Sequence, residues 1–248
     1  MIVAANTSTT TGAILPNEIR GLATTVHALA AAAPALSLPP LPALDSRILL
    51  VLSGRGSATA ASGWMARFDC AGGAATIVLA PGAGAAVTLA PDGASLAVLE
   101  LVVTGAPGDA AAQAAAAARG AVPAALAYAA ATRYTEPCKS AATVSRTLVP
   151  RGAVPRFAMG SVEARGPDAV TPHAHPMLEQ LFLGLAGCDA TVDADGATAA
   201  LRAGTLLHVP LGSTHGVRVE AGQTLHYVWI DLFHDAAGEA WLEGHKDV

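Results

Sequence analysis

Short apolar runs recur along most of this chain, and glycine, proline or Asp-Gly turns separate them. Examples are "RILLVLSG", "SLAVLELVV", "TLLHVPLG" and "LHYVWIDLF". Runs this short that end at turn residues are typical of buried strands, and several in succession favour an antiparallel barrel or jelly roll over alternating strands and helices. The pattern therefore predicts an all-β protein.

An internal repeat indicates that the chain contains one structural unit twice. When the chain is displaced by 133 residues, 24–54 lies over 157–187 without a gap, and "SRILLVLSG" superposes on "EQLFLGLAG". Further along, at an offset of 129, 77–93 lies over 206–222 with its prolines and glycines in the same order. Self-similarity at this scale predicts two tandem barrels.

The repeat and the composition between its copies define the predicted domains. We expect an N-terminal barrel at 1–108, an alanine-rich linker at 109–140 and a C-terminal barrel at 141–248. The linker contains "DAAAQAAAAARGAVPAALAYAAATRY", where Gly120 and Pro123 limit any helix to a short one. We interpret it as a connector without a function of its own.

Charge and composition narrow the range of partners. The formal net charge is −5, only 13% of residues are charged, and no basic cluster occurs, which argues against nucleic acid and anionic membranes as partners. The longest uncharged run, Gly21 to Leu44, carries four prolines and is therefore not predicted to span a membrane.

The N-terminal sequence and the cysteines predict a cytoplasmic location. "MIVAANTSTTTG" lacks the basic region that begins a signal peptide. The cysteines Cys70, Cys138 and Cys188 are odd in number and share no short spacing, so a disulfide scaffold is not expected.

A histidine-rich stretch, "TPHAHPMLEQLFLG" at 171–184, is the main candidate for chemistry. On a strand His173 and His175 point to the same face, Glu179 opens the next apolar run, and His215 follows a predicted turn further on. Three neutral imidazoles and a carboxylate suit a divalent ion such as manganese, iron, nickel, zinc or copper. Such a set leaves coordination positions open for water or substrate.

These residues carry a resemblance to the cupin superfamily. "GPDAVTPHAHPMLEQLFLGLAG" resembles its first motif, G-x5-H-x-H-x3,4-E-x6-G, and "GTLLHVPLGSTHGVRV" resembles its second, G-x5-P-x-G-x2-H-x3-N. Gly166 and Gly187 are each displaced by one residue, and Val219 replaces the asparagine. The resemblance implies a double-stranded β-helix in each domain and four metal ligands, namely His173, His175, Glu179 and His215.

The first copy of the repeat lacks this constellation. At the same offsets it carries Pro40, Pro42, Ser46 and Ala86, which provide no usable ligand set. We therefore expect one divalent ion per chain, in the C-terminal barrel, while the N-terminal barrel is a degenerate cupin with a structural role.

The layout also resembles the manganese-dependent ureidoglycine aminohydrolases, which are bicupins with a metal-free first barrel. "GAILPNEIRG" at 12–21, "LVPRG" at 148–152 and "LHYVWIDLF" at 225–233 are similar to segments of that family. That family uses Glu, two His and Gln at the four ligand positions, so only His175 matches in kind. The resemblance implies manganese, slightly ahead of iron, nickel or zinc.

The predicted function is that of a metal-dependent enzyme acting on a small polar or anionic metabolite. The reaction is predicted to be that of a hydrolase similar to the ureidoglycine aminohydrolases or another cupin reaction in the C-terminal barrel. A cupin dioxygenase and a non-catalytic metal-dependent binding or sensing protein remain as alternatives. The residues near the motifs that could contact the small molecule are Met177, Gln180, His226, Tyr227 and Trp229. His226 and Tyr227 are adjacent on one strand, so at most one of them faces the ion.

A homodimer or a higher homo-oligomer is predicted from strands that are apolar on both faces, such as "RILLVLSG" and "LFLGLAG". More apolar surface is present than one barrel interior needs. Sedimentation at micromolar concentration measures the oligomeric state, and a monomer there contradicts this prediction.

Overall fold

The computed structural model describes residues 3–6, 12–70, 73–135, 139–235 and 237–240. Cys138 lies outside the described residues, and within them Cys70 and Cys188 are free thiols. No helix in the described part of the chain is long and apolar enough to cross a membrane.

Strands make up most of the described structure. In chain order they are β1 (Val3–Asn6), β2 (Gly12–Ala13), β3 (Leu22–Leu29), β4 (Leu36–Leu38), β5 (Ser46–Ser53), β6 (Arg55–Ala60), β7 (Met65–Asp69), β8 (Ala75–Val78), β9 (Val87–Pro91), β10 (Leu96–Val103), β11 (Ala124–Ala127), β12 (Thr132–Tyr134), β13 (Val144–Val154), β14 (Phe157–Arg165), β15 (Asp168–His173), β16 (Leu178–Gly184), β17 (Asp189–Ala194), β18 (Ala197–Arg202), β19 (Thr205–Val209), β20 (His215–Val219) and β21 (Thr224–Phe233). The helices include α1 (Ala110–Ala118) and the 3-10 turns Gly82–Ala85, Pro107–Asp109 and Tyr128–Ala130, and residues 237–240 are also helical.

The chain divides into two compact units. The N-terminal unit comprises the described residues of Thr9–Ala131 and Gly152–Pro155, and the C-terminal unit those of Met1–Ser8, Thr132–Arg151 and Arg156–Val248. The N-terminal unit has the sheets β11-β8-β5-β10-β3-β2 and β4-β9-β6-β7, and the C-terminal unit has β1-β19-β16-β21-β14-β13-β12 and β15-β20-β17-β18. This pair of two-sheet antiparallel units confirms the predicted all-β fold class.

The segment 109–140 differs from the predicted linker, because its described residues belong to the two units. β11 pairs with β8 in the N-terminal unit, and β12 pairs with β13 in the C-terminal unit. In α1, the Gln113 amide donates to the Leu44 carbonyl at 2.5 Å. Strand β11 consists of alanine and leucine, so its sequence does not distinguish a strand from a linker. Its pairing with β8 depends on backbone hydrogen bonds, which the side-chain pattern does not reveal.

The first strand also departs from the predicted 1–108 domain. Residues 3–6 form β1, which pairs antiparallel with β19 and so extends a sheet of the C-terminal unit. This pairing joins segments about two hundred residues apart. In the N-terminal unit, the equivalent edge beside β8 is occupied by β11.

The internal repeat is visible in the strand registers. The pair Leu49–Glu100 of β5 and β10 recurs as Phe182–Trp229 of β16 and β21, at the offsets 133 and 129. Because these are neighbouring central strands in both units, the two sheets are built on the same register.

The strand pairing assigns different N-terminal counterparts to His173 and His215 from those given by the ungapped alignment of the two sequence repeats. His173 pairs with His215, and the corresponding strand pair in the N-terminal unit is Leu38 with Val87, in place of Pro40 and Ala86. The backbone bond from Ala61 N–H to the Ala86 carbonyl likewise recurs between Asp195 and Thr214. A bulge in β15 and the 3-10 turn before β9 change the spacing. Leu38 and Val87 are buried in an apolar core, so the conclusion that this unit lacks the histidine set stands.

Candidate metal centre

Three histidines converge in the C-terminal unit. His173 ends β15, His175 follows it and His215 begins β20 on the neighbouring strand, directly opposite His173. One ligand atom from each imidazole lies within 4.8 Å of the others. A β-bulge between Val170 and His173 turns His173 to the same face as buried Val170, and His175, two residues on, follows it.

Hydrogen bonds orient two of these imidazoles. His173 Nδ1 lies 2.8 Å from the Thr171 carbonyl, and His215 Nδ1 lies 2.9 Å from the Ser213 carbonyl. A carbonyl oxygen only accepts, so Nδ1 carries the proton in both rings and leaves the Nε2 lone pair for a ligand. His215 is buried, and its Nε2 has no hydrogen-bond partner in the described structure.

Burial favours the neutral form of His175 and His215. Burial first, and then the neighbouring His173 and His215, lower the pKa of His175 to about 3. Burial also lowers the pKa of His215, with His173 adding to the effect, although the bond to Ser213 opposes it. Neutral imidazole is the form that binds a metal ion. The convergence, the anchored Nδ1 atoms and the unpartnered buried Nε2 together fit a divalent cation.

Glu179, the predicted fourth ligand, is not brought into this group. Its carboxylate lies 2.7 Å from His208 Nε2 and 3.5 Å from His234 Nε2. Side chains alternate along β16, and the interior face belongs to Phe182, which packs in the unit's core. Glu179 therefore points to the opposite face, with His208.

Gln180, predicted only as a substrate contact, occupies the interior face instead. It shares that face with Phe182, whose ring centroid is 5.7 Å from that of His215. Its amide Nε2 donates to Asp231 Oδ1 at 2.8 Å, and Asp231 lies directly opposite it on β21.

Two other predicted contact residues share this interior. Tyr227 is buried with its ring 4.9 Å from that of Phe182, and the partly buried Trp229 packs on the same core. Phe182 lies between this apolar cluster and the histidines, because its ring is close to those of both Tyr227 and His215.

The remaining predicted contacts are His226 and Met177. His226 is on the opposite face of β21, where its Nδ1 donates to the Ala186 carbonyl at 3.1 Å. Met177 is in the turn before β16, where its carbonyl accepts from the backbone N–H of His234. His226 therefore lies on the face away from the histidine group, whereas the contact predicted for Met177 stays a prediction.

The sequence analysis did not identify Asp231 as part of the site, and it predicted Gln180 only as a contact of the small molecule. A signal for both exists in the alternation of the strands, since Tyr227, Trp229 and Asp231 are spaced two apart on β21. The first cupin motif allows three or four residues between its second histidine and the glutamate. Three residues after His175 lead to Glu179, and four lead to Gln180.

Sequence comparison identifies no relative of this chain. No family model matches it, and no curated protein matches it.

Solved structures show the fold. A cupin 2 conserved barrel domain protein from Leptotrichia buccalis is similar over 94% of this chain and 89% of its own, with a TM-score of 0.57 and 14% identity. The oxalate decarboxylase of Lactobacillus farciminis covers 98% and 90%, with a TM-score of 0.63 and 13% identity. The salicylate 1,2-dioxygenase of Pseudoaminobacter salicylatoxidans covers 90% and 72%, with a TM-score of 0.59 and 12% identity. The chain thus has the cupin fold.

Proposed function

We propose that this protein, whose chain has the cupin fold in two copies, is a divalent-metal-dependent enzyme acting on a small anionic or polar metabolite inside the C-terminal unit. The observation that carries the proposal is the convergence of His173, His175 and His215, with one ligand atom from each within 4.8 Å of the others. The similarity to an oxalate decarboxylase and a salicylate 1,2-dioxygenase supports it at the level of the fold.

The donor set favours an anionic substrate. Three neutral imidazoles leave the charge of a divalent ion uncompensated, so a carboxylate or another anionic oxygen ligand is attracted to it. A bound divalent ion supplies Lewis acidity towards a carbonyl or carboxylate oxygen.

The protein's own residues control access and orientation. The exposed side chain of His173 places the centre where a small molecule can reach it from solvent, whereas His215 is buried. On the inner side, the Phe182 ring lies against His215 and Tyr227, so an apolar group borders the centre there. The Thr171 and Ser213 carbonyls hold the protons of His173 and His215 at Nδ1, so neither ring rotates away from the centre.

Metal analysis of the protein purified without added metal tests the proposal first. We expect one divalent ion per chain, because Leu38 and Val87 occupy the corresponding strand pair of the N-terminal unit. A stoichiometry near two, or no ion at all, contradicts this.

Activity assays distinguish the reaction classes. We propose manganese as the ion and hydrolysis or decarboxylation as the reaction. A panel of small carboxylates and ureides, assayed with and without chelator and with and without oxygen, tests this. Turnover that requires iron and oxygen would replace the hydrolase proposal by a dioxygenase. Ligand binding without turnover across the panel would indicate the non-catalytic binding protein.

A further inference from the structure

We propose that Gln180, through its amide oxygen Oε1, is the fourth protein ligand of the ion held by His173, His175 and His215, and that Glu179 is not a ligand. This assignment rests on the proposed function, since it requires an ion at the histidine group. It gives the site a donor set that is neutral throughout.

The first support is the direction of the two side chains. Gln180 is buried on the interior face of β16, together with Phe182, which packs against His215. Glu179 is held on the other face by His208 at 2.7 Å. Since successive side chains on a strand point to opposite faces, both residues cannot serve the same centre.

The second support is a pair of unpartnered polar atoms. Gln180 Oε1 and His215 Nε2 are both buried, and neither has a hydrogen-bond partner in the described structure. A buried acceptor without a partner is costly, and a cation bound between these two atoms would satisfy both.

The third support is the orientation of the amide. An ionised carboxylate only accepts hydrogen bonds, so the Asp231 carboxylate requires the NH2 group of Gln180 on its side. The opposite atom, Oε1, is therefore the one left to face the interior. Asp231 acts here as a positioning residue.

The N-terminal unit provides an internal comparison. Its counterpart of Gln180 by strand register is Arg47, which pairs with Val102 as Gln180 pairs with Asp231. The Arg47 guanidinium donates to the carbonyls of Pro39 and Ala85. Pro39 directly follows Leu38, the counterpart of His173, and Ala85 lies two residues before Val87, the counterpart of His215.

In the N-terminal unit, Arg47 thus places a positive charge near the counterparts of His173 and His215. In the C-terminal unit, Gln180 would place a metal ligand in the equivalent region. The guanidinium is balanced by Glu100, whose Oε1 lies 2.6 Å from Arg47 Nε. The guanidinium of Arg47 therefore occupies this region in the N-terminal unit. In the C-terminal unit, the amide oxygen of Gln180 is proposed to face the same region.

Zinc binding to the full-length protein tests the assignment, because Zn²⁺ alone is a strongly bound probe of imidazole sites. Calorimetric titration compares the wild type with Gln180→Met, Gln180→Glu and Glu179→Gln. Gln180→Met keeps the volume but removes the oxygen, and we expect its zinc affinity to fall by at least about tenfold. Gln180→Glu loses the NH2 bond to Asp231 but keeps an oxygen at this position, and it should bind zinc more tightly than Gln180→Met. Glu179→Gln should leave the affinity unchanged.

A crystal structure of the wild type with Zn²⁺, located by anomalous scattering, gives a second readout that needs no variant to fold. We expect Gln180 Oε1 at about 2.0–2.2 Å from the ion. A Glu179 carboxylate in that position, or equal zinc affinity in Gln180→Met and wild type, overturns the assignment while leaving the proposed function intact. A wild type that binds no zinc overturns both.

Discussion

Replacement of His175 by alanine is expected to abolish binding of a divalent ion while leaving the C-terminal unit folded. The change removes one of three imidazoles whose ligand atoms lie within 4.8 Å of one another. Two imidazoles and an amide hold a divalent ion much more weakly than the complete set. The N-terminal unit folds with Leu38 and Val87 in the corresponding strand pair, so histidines there are not a requirement of the fold.

Differential scanning calorimetry with and without a chelator measures this effect. With free ion at a hundredfold excess over its Kd, binding stabilises the native state by about 2.7 kcal/mol. For a 248-residue chain that unfolds as one cooperative unit, chelator should therefore lower the melting temperature of the wild type by roughly 5–10 °C. The His175→Ala protein should melt at the same temperature in both conditions.

The matched control is His226→Ala, which removes an imidazole on the opposite face of β21. This variant should keep the chelator-dependent shift of the wild type. A wild type whose melting does not respond to chelator would show that no ion stabilises the native state, and the metal-dependent function would lose its basis.

Replacement of Glu100 by glutamine is expected to lower the free energy of unfolding of the N-terminal unit by about 3–5 kcal/mol. Glu100 lies between Arg47 at 2.6 Å and His27 at 2.7 Å, and the Arg47 side chain is only 2% exposed. The glutamine leaves the guanidinium buried without a counter-charge. Urea denaturation of the variant and the wild type measures the difference.

The direction in which the pKa of Glu100 is shifted determines the pH range over which this ion pair stabilises the native state. Burial opposes ionisation of Glu100, but the hydrogen bond from His27 and the charge of Arg47 outweigh it and hold the pKa of the carboxyl below its ordinary value. A lowered folded-state pKa contributes stability above the unfolded pKa of about 4.3, and the contribution is lost as the pH falls through the folded pKa. The effect of the substitution should therefore be complete at pH 7.

An exposed ion pair in the same unit serves as the control. Arg55 and Asp92 approach to 3.5 Å with side chains that are 53% and 76% exposed. Asp92→Asn should change the free energy of unfolding by no more than about 1 kcal/mol. If Glu100→Gln is as mild as Asp92→Asn, the buried pair is not the stabilising element that its geometry indicates.

Much of the fold could be predicted from the sequence because its signals are local. Apolar runs ending at glycine and proline report strands and turns, and the recurrence of "SRILLVLSG" as "EQLFLGLAG" reports a repeated unit before any contact is known. The pair His173 and His175 is local in the same sense, since a spacing of two on a strand places both on one face.

The placement of Glu179 and Gln180 was decided by tertiary structure. Between His175 and β16 the chain passes through a turn, and the residues in a turn do not preserve the alternation of faces. A shift of one residue then exchanges the two faces of the following strand. The cupin motif allows three or four residues after His175, so it fits both Glu179 and Gln180. The packing of Phe182 into the core is what places Gln180, two residues before it, on the interior face.

Long-range pairing was equally invisible in the sequence. Arg47, Glu100 and His27 come from three strands of one sheet, and β1 joins β19 from the other end of the chain. The sequence by itself determined the strand content, the two barrels and the histidine pair, because these follow from neighbouring residues. The tertiary structure alone decided which polar side chains share a barrel interior, because that depends on register and burial between strands that are distant along the chain.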